Sequence, residues 1–461
     1  MFRTTLAALS LAAVTAAQVS LTHISTIDVS STSNGLNPEY IGNNPMAVAW
    51  NGTDLFLAGF NSTGAVGNVG IVKISNALTT PTPGIAFGVV GATPNVRGYT
   101  GLDIAGTKLV AAYDPGAVSP VGITGWDLTG TSLWAKNGRG GSGVAMDPGF
   151  VGVDFGVGWT TFGSGRRALQ GEVTGADIYT SANGMIMNPT PSPGTTWRDM
   201  DFDTLSGDIW LRMGNKVLAA TRVGGNVLVN QRVVVDATLA IGIVAQNLSF
   251  VRQPAGEVVF WNNRVITTAG QPFAAAVLCN RASDGAAMTL SWGAFAPAAG
   301  IGAYDFSYDE ASKTMAISDF ANRSVYVFQV TVAAPYDSGC PGQGGVTPAL
   351  AVTGSAHANG TLTFALTGAA PLSLGLFAFG DSAISVPLPF PFFCNLLVSP
   401  LILIDGIFVT PPGLPGSGSG TFNIPVPPGV TGLNLTAQGF VMENIDLNQL
   451  VTSNGVFAVM L

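Results

Sequence analysis

The residues best suited to chemistry in this sequence are its aspartates, and they recur. An apolar residue followed four positions later by Asp occurs at Tyr99 and Asp103, Phe150 and Asp154, Trp197 and Asp201, and Ile301 and Asp305. Phe follows three of those carboxylates, as Phe155, Phe202 and Phe306. Met46 to Trp50 and Val244 to Leu248 keep the frame without the acid, and the starts lie 53, 51, 47, 47 and 57 residues apart. Carboxylates repeated around a ring could bind Ca²⁺ or act as acid and base. Repetition suits scaffold duty better. An Asp at one point of every unit can accept backbone N–H bonds and fix unit contacts, whereas an active site needs different residues at different points.

Asp199-Met-Asp201-Phe-Asp203 places alternate carboxylates on one face of a strand. An EF-hand-type loop would want Gly next, and Thr204 stands there, with no bidentate Glu further on. The stretch therefore reads as a strand entering a turn at Thr204 to Gly207, and no metal is expected. Histidine, the usual base at neutral pH, occurs only as His23 and His357, and no Gly-x-Ser-x-Gly elbow is present. Gly138-Arg-Gly-Gly-Ser-Gly143 has no following Gly-Lys-Ser/Thr and reads as a loop, not a phosphate cradle. The sialidase Asp-box is missing, and Glu172 and Glu257 are the only Glu residues in the middle of the repeats. No catalytic residue and no cofactor is assigned. Tyr99, Arg198 and Asp199 are the first side chains to inspect for binding. The tryptophans, Trp292 among them, read as packing between units, with any exposed ring suited to stacking on a sugar.

The elements that must position these residues are strands. The 461 residues are 47% apolar and only 10% charged, and 60 Gly and 28 Pro cut the chain into short runs rich in Val, Ile, Thr and Phe. Copies about 50 residues apart, each of three or four antiparallel strands, predict an all-β fold: a six-bladed β-propeller followed by a C-terminal β-sandwich. The last copy is the clearest. Strands are expected at Ala303 to Tyr308, Thr314 to Ser318 and Ser324 to Val330, with turns at 309–313 and 319–323. The run Val19 to Val29 is expected to complete the last blade and close the ring.

Residues 1–17 read as a secretory signal peptide: Arg3, the apolar Leu6 to Val14, then Thr15-Ala16-Ala17 before Gln18. Its removal takes the formal charge of −8 to −9 by the loss of Arg3. So acidic a chain is a poor partner for nucleic acid. The uncharged stretch Ala383 to Ile404 contains Pro387, Pro389, Pro391 and Pro400, which rules out a spanning helix and predicts buried strands and apolar loops. The propeller is expected over 18–334, a Gly/Pro-rich linker over 335–347, and the sandwich over 348–461. Export permits disulfides. Cys340 and Cys394 share the C-terminal region and are expected to pair, leaving Cys279 as an inert buried thiol.

The stretch Ser318-Asp319-Phe-Ala-Asn322-Arg323-Ser324-Val325 resembles the NHL-type or YVTN-type propeller blade. Tyr336-Asp-Ser-Gly-Cys-Pro-Gly-Gln-Gly-Gly345 and Leu435-Thr-Ala-Gln-Gly439 resemble a C-terminal module of secreted proteins from planctomycete-like bacteria. The expectation is a secreted or cell-surface bacterial protein that binds a polysaccharide or envelope protein without catalysis. The alternative is an extracellular lyase, glycosidase or lactonase using the propeller channel.

Overall fold

The computed structural model describes residues 18–29, 44–60, 68–91, 98–114, 121–137, 143–147, 156–160, 167–171, 197–214, 216–222, 228–236, 247–262, 273–297, 302–388, 394–399, 403–410, 412–430, 432–446 and 449–460. The proposed signal segment, together with Phe150, Asp154 and Phe155 of the third repeat, lies outside them. The regular structure of the described residues is almost entirely strand, with one four-residue α-helix at Phe273–Ala276 and 3-10 turns at Gln343–Gly345 and Glu443–Ile445.

The strands form antiparallel meanders. The first runs Asn44–Trp50, Leu55–Phe60, Asn68–Ser75 and Phe87–Gly91. The next are Gly98–Ala105 with Lys108–Asp114, Val121–Asp127 and Ser132–Asn137, and Val144–Asp147 with Gly156–Thr160 and Arg167–Gly171. Then follow Trp197–Phe202, Ile209–Met213, Lys216–Arg222 and Leu228–Asp236, and Leu248–Gln253, Gly256–Asn262 and Val277–Arg281. The last is Ala303–Asp309, Thr314–Asp319 and Ser324–Tyr336. The first strands touch in cyclic order, Asn44–Trp50 on Gly98–Ala105 and so on round to Ala303–Asp309, which returns to Asn44–Trp50. A ring of meanders with their first strands at its centre is a β-propeller.

The ring is closed by the chain's own beginning. Gln18–Asp28 pairs antiparallel with Ser324–Tyr336, so the last meander takes its outer strand from the N-terminal end. This agrees with the strand expected at Val19 to Val29, and it covers an edge that would otherwise be open. The turns of the last meander also fall where expected. Lys313 and Arg323 end them with φ of 55° and 49°, and Asp309 and Asp319 accept the amides of Ser312 and Ala321.

Apolar faces between meanders supply the core. Trp50, Val48, Leu55 and Ile74 pack on Val325 and Val327 across the closure, and Phe260, Phe273 and Val277 pack on Met315, Phe328 and Val330. Neither face of a meander is covered without its neighbours, which is why the units are stable only together.

Ser324–Tyr336 does not stop at the edge of the ring. Ala334, Pro335 and Tyr336 pair with Phe457, Val456 and Gly455, so one strand joins the propeller to the C-terminal strands without a break. Pro335 and Tyr336, the first residues of the expected Gly/Pro linker, lie in this paired strand. Beyond it, Leu374–Gly380, Leu403–Val409, Asn434–Met442 and Leu450–Val459 form one sheet. Ala349–Gly354, Thr361–Ala369 and Gly418–Pro425 form a second. Both contribute to one core that includes Leu350, Phe364, Phe377, Phe379 and Val441. Thr361–Ala369 alternates buried and open residues, the pattern of a strand with one wet face. The expectation of buried strands at Ala383 to Ile404 is corrected in its first arm. Ser382–Pro387 is a largely exposed hairpin strand paired with Asn395–Ser399. Cys340 and Cys394 are bonded, with Cα atoms 5.3 Å apart, and Cys279 is free and buried.

Candidate functional site

The recurring aspartates converge at the centre of the ring, where their geometry repeats. Asp103 accepts the amide of Ile104 at one oxygen (2.8 Å) and that of Met146, in the next meander, at the other (2.6 Å). Asp201 accepts Phe202 N at 2.7 Å and Phe250 N of the next meander at 2.7 Å. Asp305 accepts Phe306 N at 3.0 Å and Val48 N, across the closure, at 2.8 Å. Each carboxylate thus spends one oxygen on its own strand and the other on the neighbouring one. Two acceptors are required, which Asp supplies and Asn or Ser does not. The apolar residue after each Asp turns into the blade, Phe202 and Phe306 in core clusters and Ile104 packed against one.

Between the fourth and fifth meanders the contact becomes a three-rung ladder. Asp199 accepts Leu248 N at 2.9 Å, Asp201 accepts Phe250 N, and Asp203 accepts Arg252 Nε at 2.8 Å. Alternate residues of one strand therefore meet alternate residues of the next, as a period of two dictates. Across the closure, Ser307 Oγ accepts Trp50 N at 2.9 Å beside the Asp305 bond, and Trp50 Nε1 donates to Thr314 at 2.7 Å.

Crowding these acids has an electrostatic consequence. Burial, reinforced by the charge of the others, pushes Asp103, Asp201 and Asp305 up to about 7, against the pull of the amides they accept. Asp199 is raised too, by burial and by the charge of Asp305. Burial would also raise Asp203, but the Arg252 guanidinium and the Ser206 hydroxyl outweigh it and hold that carboxyl below its ordinary value. A polar cavity of about 40 Å³ lies between Asp103, Asp199, Asp201 and Asp305, roughly the room one water occupies. Among the described residues no group of three or more His, Cys, Asp or Glu could hold a metal ion.

Next to this cavity the channel opens into a hollow of about 390 Å³, bounded by the turns that follow the first strands. Asp103 and Asp201 line it with Trp50, Phe250, Tyr308, Thr204, Arg252 and Glu310. Thr204 Oγ1 donates to Glu310, and Arg252 also pairs with Glu257 at 2.6 Å.

Of the two described side chains among those singled out from sequence, Tyr99 and Asp199, it is Asp199 that lines the central cavity. Tyr99 is buried in the interface between the first two meanders, its ring 5.2 Å from that of Tyr113 and its hydroxyl donating to Gly88 O at 2.5 Å. Its side chain is spent on packing between the blades. Arg198 belongs to the Trp197–Phe202 strand, and its side chain lies outside the described residues. Sequence reasoning missed Arg252 and Glu310 at the mouth, and Arg212. Arg212 is fully buried over the Trp261 ring, 4.4 Å from its centroid, and burial draws its pKa down to about 9. A lone Arg within the apolar run Ile209–Met213 was the available signal.

No family model matches this sequence, and no curated protein matches it. Among solved structures it is similar to the β-propeller domain of Cps50 (Swd1) from Myceliophteria thermophila, at 10% identity and TM-score 0.38, covering 62% of this chain and 96% of that one. It is also similar to XC5397 from Xanthomonas campestris, described as a gluconolactonase, at 12% identity and TM-score 0.38, covering 63% and 88%. The Dos1 propeller is similar at 9% identity and TM-score 0.36, covering 67% and 95%. These are likenesses of fold, and no role passes from those proteins to this one.

Proposed function

We propose that this chain is a secreted, non-catalytic binding protein, a six-bladed β-propeller of the NHL or YVTN type over 18–334 joined through 335–347 to a β-sandwich over 348–461. The cyclic contact of the first strands supports the blade number, and the core common to two sheets supports the sandwich. The leader-like residues 1–17 and the Cys340–Cys394 bond favour an oxidising, extracellular setting. The channel mouth takes a polysaccharide or a cell-surface protein, and the sandwich serves attachment. The observation that carries this reading is the use of the channel carboxylates: Asp103, Asp201 and Asp305 each commit both oxygens to blade contacts. That is the work of a scaffold. Glycan arrays and pull-down from envelope extracts test it, with Glu310→Ala expected to weaken capture at the mouth by about tenfold, or 1.4 kcal/mol. Capture unaltered by that change removes the mouth as the site.

One observation favours an enzyme instead. Asp103 and Asp201, both pushed to about 7, face one hollow, which suits an acid and base pair near neutral pH. Turnover of a polysaccharide or lactone by purified protein, abolished by Asp201→Asn with the fold intact, would establish that reading over the first.

A further inference from the structure

A second hollow lies away from the channel, at the outer edge of the last blade. After the short strand Thr289–Ser291, which runs parallel beside Gln18–Ser20, the chain turns back over the blade. The turn is tight: Phe295 N donates to Trp292 O at 3.1 Å, and Gly293 takes a φ of +56°. It lays Phe295 on the outer strands, with ring centroids 4.9 Å from Tyr326 and 5.0 Å from Phe328. His23 stacks on Phe295 at 4.7 Å and 24°, and Trp292 continues the stack at 6.2 Å and 30°. The strand carrying His23 shifts register between His23 and Ser25, and His23 is exposed at the pocket edge.

The resulting pocket holds about 640 Å³, within the range of small-molecule sites. One wall is aromatic, and Trp292 and Phe295 remain partly open to solvent. The rim is polar, with Thr22, Thr26 and Asn322. Thr26 Oγ1 already lies 2.8 Å from His23 Nε2, which holds the imidazole in the stack. No carboxylate, Lys or Arg lines the pocket among the described residues.

We propose that this pocket binds a neutral hexopyranose unit, its C–H face on the Trp292–Phe295 wall and its hydroxyls toward Thr22, Thr26 and Asn322. A flat ligand is indicated because the Trp292 and Phe295 rings lie within 30° of one another and line the pocket together, a broad aromatic surface and not a box. A neutral one is indicated because an aromatic cage for a quaternary ammonium gains from nearby negative charge, and none lines the pocket. Hydroxyl donors and acceptors at the rim match a ligand that is apolar on its face and polar at its edge. The assignment goes beyond the channel-mouth reading, and the two can fail separately.

The test is isothermal titration of the full chain with cellohexaose, maltohexaose and mannohexaose. At least one binds the native protein, and Trp292→Ala weakens it by about tenfold or more. Trp292 also touches Phe273 and Phe328, so that variant can lose its fold. Gly293→Asn covers this case. A side chain at Gly293 meets nothing within 4 Å, and Asn tolerates its left-handed backbone. It obstructs the pocket and weakens binding at least fivefold with an unaltered unfolding midpoint. Glu310→Ala, at the channel mouth, leaves this binding intact. Binding of no hexasaccharide at millimolar concentration overturns the proposal. So does binding that survives both pocket variants, or binding of choline in place of the sugars.

Discussion

The central carboxylates make the stability of the propeller depend on pH in an unusual direction. Asp103, Asp201 and Asp305 stand at about 7 in the folded protein, against an ordinary value of 3.8. A carboxyl raised on folding binds its proton more tightly in the native state. Its stabilising proton uptake is fully present below about pH 4 and is lost as pH rises through 7. The whole effect is about 4 kcal/mol for one such group, from roughly three units at 1.4 kcal/mol each. Between pH 5 and 8 roughly 2–3 kcal/mol of it is lost. The three acids feel one another's charge, so their contributions do not simply add. His23 and His357, held low by burial, oppose the trend only below about 6.5. The assay is urea unfolding followed by tryptophan fluorescence. All eight tryptophans lie between Trp50 and Trp292, so emission reports the propeller and not residues 348–461. With a slope near 3 kcal/mol/M, the midpoint at pH 8 falls about 0.8 M below that at pH 5. Asp201→Asn removes one titrating group and flattens this dependence. A midpoint that is constant or rises from pH 5 to 8, or an Asp201→Asn profile parallel to the native one, refutes the reasoning.

Three further outcomes are expected. Arg252→Ala strips the partner from Asp203, whose side chain is only 3% exposed, and costs about 2–4 kcal/mol by urea unfolding; adding Asp203→Asn recovers part of the loss. Cys340→Ser opens a loop of 54 residues and lowers the stability of the C-terminal sheets by about 4 kcal/mol, read as faster proteolysis there and matched by reduction of the native protein. Gly455→Ala puts a methyl 2.3 Å from the Tyr336 ring, where the shared strand meets the C-terminal sheet. It costs about 1–3 kcal/mol, and hydrogen exchange at 334–336 and 455–457 accelerates.

Local chemistry made much of this protein legible in advance. The Asp-Phe frame marked the first strands because a carboxylate with two acceptor oxygens and an apolar neighbour on the opposite face is a local pattern of period two. The last blade could be drawn strand by strand, since Asp309 and Asp319 close turns with amides two or three residues away. The Cys340–Cys394 pair followed from the cysteines being few and near. What the residues did not encode locally was which partner each meets. The amides that Asp103, Asp201 and Asp305 accept from other blades lie 43, 49 and 257 positions away, and alternation along a strand says which face a side chain takes, not which strand faces it. For the same reason Tyr99, conspicuous at the head of its repeat, was committed to packing. Ser382–Pro387, apolar enough to be buried, lay exposed. Trp292, one tryptophan among eight, became the wall of a pocket only when a distant N-terminal strand set His23 beside Phe295. Ring closure decides these pairings, because each blade gains its buried area from neighbours that the chain reaches only after running round the circle.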